Sequence, residues 1–496
     1  MSKKVIVIGA GIAGLSVATY LQMSGFDTQI YEMHDLPGGL CTTWERKGYH
    51  IDGCIHWLIG TKNGSTLNKM WNEIIDINSI DFVHSEHYGT FSDKQEQSIN
   101  IYTDPDKLES ELLAIAPEDK DHILKFCNLI RKFKDFDPPA DSTPEIMGGK
   151  EKIAFLLKIL KYLPDLNKYL KISLKEFARN FKNSLLRFTF ENLFVPEMSL
   201  IFVIINFAWF NRGDAAYPIG GSLNFARLIE KSYLEKGGKI NYKSKVEKII
   251  VKKTDKTNKA TGILLENGEK ISADIVISAA DAHFTLKKML NDKFTSKKWQ
   301  NRFDNFKTFS SYIQVSLGIN GKLDYFSQRH HIETKKQFKI TNIDTITSFN
   351  YRIHDFDPTL APEGKTLITT LIEIKDYKYW SDLRKNDRRA YRDKKKEIAD
   401  FIISEIENYT GKFRDNIEML DISTPATVIR YTNNWQGSYE GWIMNADAGF
   451  SSFERQLPGL DNFYMAGQWI EPGGGIPTAF MSGRNLAGII CNKHGN

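Results

Sequence analysis

The sequence predicts an α/β fold in which a discontinuous domain that opens on a βαβ unit accompanies a second α+β domain. Three observations predict it. A β-branched run at residues 5–8 passes through Gly9-Ala10-Gly11-Ile12-Ala13-Gly14 into a helical pattern over 12–24, so the apolar period changes from strand to helix across one glycine turn. Alternating runs at 311–319 and 366–374, SYIQVSLGI and TLITTLIEI, mark strands of another sheet. Near the C-terminus a strand, a loop with Gly473-Gly474-Gly475 and a helix from about Ile476-Pro477 repeat the strand-turn-helix order. At 496 residues the chain exceeds the size at which a single core stops growing, so two domains are expected, one of them discontinuous.

Taken in order, the first turn satisfies GxGxxG in the setting that gives the pattern its meaning, after a strand and before a helix. The opening N–H groups of such a helix lack intrahelical partners, and its positive end favours a pyrophosphate. Gly25 stops the helix and a second strand follows at 28–32, with Glu32 at its tip, where a carboxylate takes both hydroxyls of an adenosine ribose. This start is a Rossmann-like unit in which Gly9, Gly11, Ile12, Ala13, Gly14 and Glu32 meet a dinucleotide. A further pair, Gly38-Gly39, followed by Leu40, offers a second close backbone approach. An extended, buried flavin requires that approach and NAD alone does not. At the far end Pro477 stands in a first helical turn, where its missing N–H costs least. The glycines before it let the positive helix end approach the pyrimidine side of a flavin, where negative charge gathers on reduction. The expected cofactor is therefore FAD, with Gly475, Ile476 and Pro477 completing the site begun at residue 9.

The middle of the chain is helical after residue 60, with a Pro/Asp/Gly-rich break at 135–149 expected as a surface loop. Residues 153–174 mix aliphatics with lysines at near-helical spacing, which reads either as a membrane-facing surface or as a core-facing helix pair broken at Pro164. The apolar run LIFVIINFAWF, residues 200–210, is about half of the ~20 residues needed to span a bilayer. It reads as the lining of a hydrophobic tunnel or as buried core, and the same pair of readings applies to Trp435, Tyr439 and Trp442. From residue 239 the chain is strand-rich, with Asn267-Gly268 as a hairpin turn. The basic run at 384–396 reads as a solvated helix face.

Composition narrows the class. Hydrophobic residues are 41% and charged residues 26%, a globular profile, and the net charge of +5 arises from 66 basic against 61 acidic side chains. That balance does not predict a nucleic-acid partner, for which a clustered basic face would be expected, and it mildly favours contact with anionic membrane. Cys41, Cys54, Cys127 and Cys491 form no CxxC pair or Cys/His cluster, so neither a disulfide framework nor a metal site is expected. The N-terminus passes from two lysines into a strand without the apolar region of a signal peptide. The expectation is a cytoplasmic protein, soluble or peripherally attached to membrane.

The motifs VIVIGAGIAGLSVATYLQ, YEMHDLPGG, ERKGYHID, YPIGGSLNFARLIEKSYLEKGGKI, ADIVISAAD, TPATVIRYTNNWQGSYEGW and NFYMAGQWIEPGGGIPTAFMSGR together resemble the phytoene desaturase family of FAD-dependent oxidoreductases, which includes carotenoid desaturases, carotenoid isomerases and retinol saturases. The resemblance implies a glutathione-reductase-like FAD domain from 1–100, 213–290 and 455–496, with a substrate domain from 101–212 and 291–454. It implies that Val246 meets the adenine through its backbone, that Ala279 to Asp281 lie near the cofactor, and that Gly467 belongs to the site. The tail PGGGIP leans toward the desaturase branch, whereas Leu40 stands where desaturases often carry arginine. The implied activity is desaturation or isomerisation of a polyene or isoprenoid lipid by hydride exchange with flavin. Saturation of a double bond, amine oxidation and a non-catalytic flavoprotein remain as alternatives. No second strand-GxGxxG-helix unit is present for NAD(P)H, so quinone, oxygen or another diffusible acceptor is expected to take the electrons. Glu471 and His56 are the candidate proton-transfer residues, as those nearest the expected ring.

Overall fold

The computed structural model describes residues 2–137, 145–254, 257–323, 327–449 and 453–495. Five strands form a sheet in the order Lys239–Asn241, Asp27–Tyr31, Lys4–Ile8, Ile275–Ser278, Phe463–Met465, every pair parallel. Three distant segments thus share one sheet. The central strand is apolar on both faces, with Val5, Ile6 and Val7 fully buried, as expected where helices or other layers cover each side.

The helix Ile12–Met23 packs between Gly221–Glu235 and the C-terminal helix Gly475–His494. Its join to the last is unusually close. Ser16 Oγ donates to the Phe480 carbonyl at 2.8 Å, and a Cβ on Gly483 would stand 2.6 Å from the Ala13 oxygen and 2.7 Å from Ser16 Cβ and the Val17 nitrogen. Backbone atoms cannot swing away as a flexible side chain would. Gly483→Val should therefore separate the two helices and destabilise the fold by about 2–3 kcal/mol, read as a lowered Tm together with weaker retention of the cofactor.

The second sheet has seven strands in the order Ile417–Ser423, Ser311–Ile319, Thr366–Ile374, Thr345–Ile353, Arg329–Lys339, His87–Ser92, Ser98–Tyr102. The two runs marked by alternation pair antiparallel, from Ser311 opposite Ile374 to Ile319 opposite Thr366. The expected domain boundary at residue 100 is corrected here, because the strands at 87–92 and 98–102 belong to this sheet, and His330 to Ile332 pair in parallel with Thr90 to Ser92. Alternation identifies a strand but not its hydrogen-bonding neighbour, so the boundary was invisible to pattern.

Helices from the 105–211 region build a separate core containing Phe126, Phe177, Phe190 and Phe207. Of the break at 135–149, residues 138–144 lie outside the described residues. The helix Gly149–Ile159 buries none of its side chains, and Ile153, Leu156, Leu157 and Leu160 are 50–66% exposed. The core-facing reading of 153–174 fails for this first helix, while Leu163–Tyr169 buries Leu166 and Tyr169. Among the described residues no helix is long and apolar enough to cross a membrane.

Candidate active site

One cavity of about 700 Å³ opens beyond the carboxyl ends of the parallel strands and runs along the seven-stranded sheet. Of the expected cofactor residues, all but Gly14 line it. Gly9, at φ +98°, turns the chain out of the first strand, and its N–H donates to the Tyr31 carbonyl at 2.9 Å. Gly14 lies behind this turn, where a Cβ would overlap the Gly9 carbonyl oxygen. Its task is to let helix and turn touch. The helix N-cap is Gly11, which has no side chain to satisfy the first-turn amides, so these remain directed at the cavity.

Glu32 is buried at the end of its strand. Its Oε2 accepts from the Ala10 N–H at 2.7 Å and its Oε1 from the His34 N–H at 2.8 Å, which fixes the carboxylate and leaves a lone pair on each oxygen for a further donor. Gly38 closes on the first loop, its N–H donating to the Ala10 carbonyl at 2.8 Å. Positive φ at Gly38 and Gly39 makes that approach possible.

From the other end of the chain, the Gly467 N–H donates to Ser482 Oγ at 2.9 Å, and Gly473, Gly474 and Gly475 all have positive φ, 144°, 63° and 72°. The C-terminal helix also starts without a side-chain cap. Two helix N-termini, one from each extremity, therefore border the same space.

The cavity continues along the helix Leu200–Asn211. Phe202, Ile205, Asn206 and Trp209 line it, a stripe at the i, i+3, i+4, i+7 spacing of one helix face, while Val203, Ile204 and Phe207 are buried in the helical core. Both readings of this run therefore hold, each for one face. Trp57, Tyr88 and Phe194 extend the aromatic wall, with the Trp57 and Tyr88 rings 5.7 and 5.5 Å from Phe194. The loop at 53–57 is held in place by Asp52, which accepts from Tyr217 OH at 2.8 Å, and by Ser222 Oγ, which accepts from the Ile55 N–H at 2.8 Å. Asp52 and Ser222 belong to two of the motifs noted in the sequence, and here those motifs brace each other.

A family model described as flavin containing amine oxidoreductase matches residues 12–491. The chain belongs to that family. Its cofactor is FAD, and the two uncapped helix ends, the glycine approaches and the fixed Glu32 fit a flavin dinucleotide. The flavoprotein is 26% identical to a prolycopene isomerase of Daucus carota over 96% of this chain and 78% of that protein. It is 23% identical to a phytoene desaturase of Phycomyces blakesleeanus (99% and 86%) and to a 4,4'-diaponeurosporene oxygenase of Staphylococcus haemolyticus (98% and 97%), so the resemblance to the phytoene desaturase family holds. In fold it is similar to an oxidoreductase from Methanosarcina mazei, with TM-score 0.64, 18% identity, and 97% and 99% of the two chains covered. Putrescine oxidase bound to putrescine gives TM-score 0.60 at 12% identity, with 99% of each chain covered.

The two candidate proton-transfer residues of this flavoprotein separate. His56 lines the cavity. Burial, and then the Arg352 and Arg329 guanidinium groups, hold its pKa well below the ordinary histidine range, so the imidazole is neutral. Glu471 is not on the cavity wall; it is buried in an ion pair with Arg455 and accepts from Asn485 Nδ2 at 3.0 Å. Its carboxylate is committed to structure, and this corrects the expectation of a catalytic role. Tyr439 lines the cavity, whereas Trp442 is core.

Sequence reasoning missed Glu440. It lines the cavity beside the glycine tail, where a Cβ on Gly474 would stand 2.6 Å from its Oε2. Burial raises its pKa to about 7, and no hydrogen bond or ion pair satisfies its carboxyl among the described residues. The only signal was an acid beside Tyr439 inside a glycine-flanked motif. Arg329 and His331, also on the wall, carried no signal at all.

Proposed function

We propose that the flavoprotein acts on carbon–carbon bonds of a polyene or isoprenoid lipid, by desaturation or isomerisation. The observation that supports this best is the continuity of one cavity from the nucleotide-binding turns to the aromatic stripe of the Leu200–Asn211 helix. Carotenoid desaturases and isomerases among its relatives support the same reading. Bound FAD would supply the two-electron chemistry. The chain's own part is to exclude water with Trp57, Phe194, Phe202 and Trp209, to hold an extended chain against them, and to hold or move the accompanying proton at the Glu440 carboxyl. Neutral His56 contributes a hydrogen bond rather than a charge. Oxidation of a cationic amine is disfavoured by the Arg329 guanidinium on the cavity wall. Electrons from a net desaturation would leave to quinone, oxygen or another diffusible acceptor.

The test is anaerobic incubation of the FAD-loaded protein with phytoene, a carotene isomer, retinol and putrescine, following flavin absorbance and products by chromatography. A polyene that bleaches the flavin or is isomerised supports the reading. Reduction by putrescine alone would overturn it.

A lipid substrate must reach the cavity from membrane, and the helix Gly149–Ile159 supplies the surface for this. Its exposed Ile153, Leu156, Leu157 and the following Leu160 stand among Lys150, Lys152, Lys158 and Lys161, an apolar face bordered by cations that suits an anionic bilayer. Leu156→Glu with Leu157→Glu should reduce sedimentation with phosphatidylglycerol vesicles at least tenfold, with FAD content unchanged. Undiminished vesicle binding would remove this face from the account.

A further inference from the structure

Arg329 opens the strand Arg329–Lys339, and His331 lies two positions on, on the same face. Both line the cavity. The Arg329 guanidinium lies 4.4 Å over the Tyr88 ring and pairs with no carboxylate among the described residues. Gly89, on the adjacent strand, permits this placement, because a Cβ there would stand 3.0 Å from the Arg329 carbonyl oxygen. His331 is 8% exposed, its ring stacks on Phe91 at 5.5 Å, and its Nε2 has no partner among the described residues.

Two polar groups in one aromatic wall, one cationic without a counter-ion and the other buried without a hydrogen-bond partner, are costly for folding alone. Glu373 and Glu440 also line the cavity, but neither forms an ion pair with Arg329 among the described residues. The missing partner is an anion delivered by a ligand. A plain hydrocarbon has nothing to offer these groups. We propose that Arg329 and His331 bind a terminal carboxylate of the substrate, which makes the substrate class acidic polyenes or isoprenoid acids. This rests on the polyene reading above and narrows it to one end-group chemistry.

The experiment titrates the FAD-loaded protein with retinoic acid, retinol and phytoene in detergent, reading the change in flavin fluorescence. Retinoic acid and retinol differ at the terminus only, so their affinity ratio isolates the end group. The expected ratio favours the acid roughly tenfold to a hundredfold, the range of a charge-assisted hydrogen bond. It should fall to about one in Arg329→Met, recover in part in Arg329→Lys, and drop severalfold in His331→Phe, which keeps an aromatic ring against Phe91. FAD content and Tm of each variant report whether the fold is retained, and Arg329→Lys serves if the methionine variant does not fold. A ratio near one in the wild-type protein, or one unmoved by both Arg329 variants, overturns the inference while leaving the polyene reading intact. Failure of all three lipids to bind overturns both.

Discussion

Gly14→Val should purify colourless, with FAD content below about a tenth of the wild-type value. A Cβ at this position would overlap the Gly9 carbonyl oxygen and approach the Gly9 carbonyl carbon to 3.1 Å. Turn and helix must then part, and overpacking of this kind costs about 1–3 kcal/mol or more. The loss falls where it matters most, since Gly9 sets the turn and Gly11, Ile12 and Ala13 present the first-turn amides to the cavity. The control is Gly25→Ala at the other end of the same helix. Gly25 has φ +86°, and a Cβ there would meet nothing within 4 Å, so alanine encounters backbone strain of roughly 1 kcal/mol and no clash. A yellow Gly25→Ala protein beside a colourless Gly14→Val protein separates close approach from general instability. A Gly14→Val protein that keeps its flavin would refute the assignment.

Glu440→Gln should keep FAD and lose activity about a hundredfold or more, the usual range for removing a proton-transfer group. The pH profile supplies the sharper test. With the Glu440 pKa raised to about 7, wild-type activity should show an inflection near that pH, and Glu440→Gln should lack it. Activity rising through the inflection identifies acceptance of a proton by the carboxylate, as desaturation needs; falling activity identifies proton delivery. Neutral His56 adds no second step in this range. Stability of the protein without cofactor has a definite sign, whichever way activity turns. Between the unfolded value of 4.5 and about 7 the native chain holds a proton that the unfolded chain has lost, so stability falls as pH rises across this window, by at most about 3 kcal/mol. Glu440→Gln should reduce that slope in urea melts at pH 5 and 8 by the share of Glu440, leaving the share of Asp281, whose pKa burial also raises to about 7. A profile identical to wild type would remove Glu440 from the chemistry.

The glycine turns and helix ends that border the cavity were legible because their geometry is local. A strand, a glycine turn and a helix N-terminus sit within residues 4–23, and Gly38, Gly39 and the glycine tail report backbone requirements that side chains cannot mimic. Glu471 misled for the opposite reason. A carboxylate close in sequence to the tail looked available, yet Arg455, 16 positions away, takes it in an ion pair. The long apolar run at 200–210 was equally ambiguous in one dimension, since period and composition are the same whether a face meets a cavity or a core.

The sequence alone determined the strand-turn-helix units, the glycine turns with Glu32 at the end of its strand, and the apolar character of the intervening region, because each depends on neighbours a few residues apart. Tertiary structure alone decided that strands at 87–102 join the second sheet, that one face of Leu200–Asn211 meets the cavity, and that Glu440, His56, Arg329 and His331 share its wall. Those residues come from three segments, each more than about a hundred positions from the next, and only folding sets which of them lose water together. Desolvation then chooses which carboxyl keeps its proton and which cation is left without a partner.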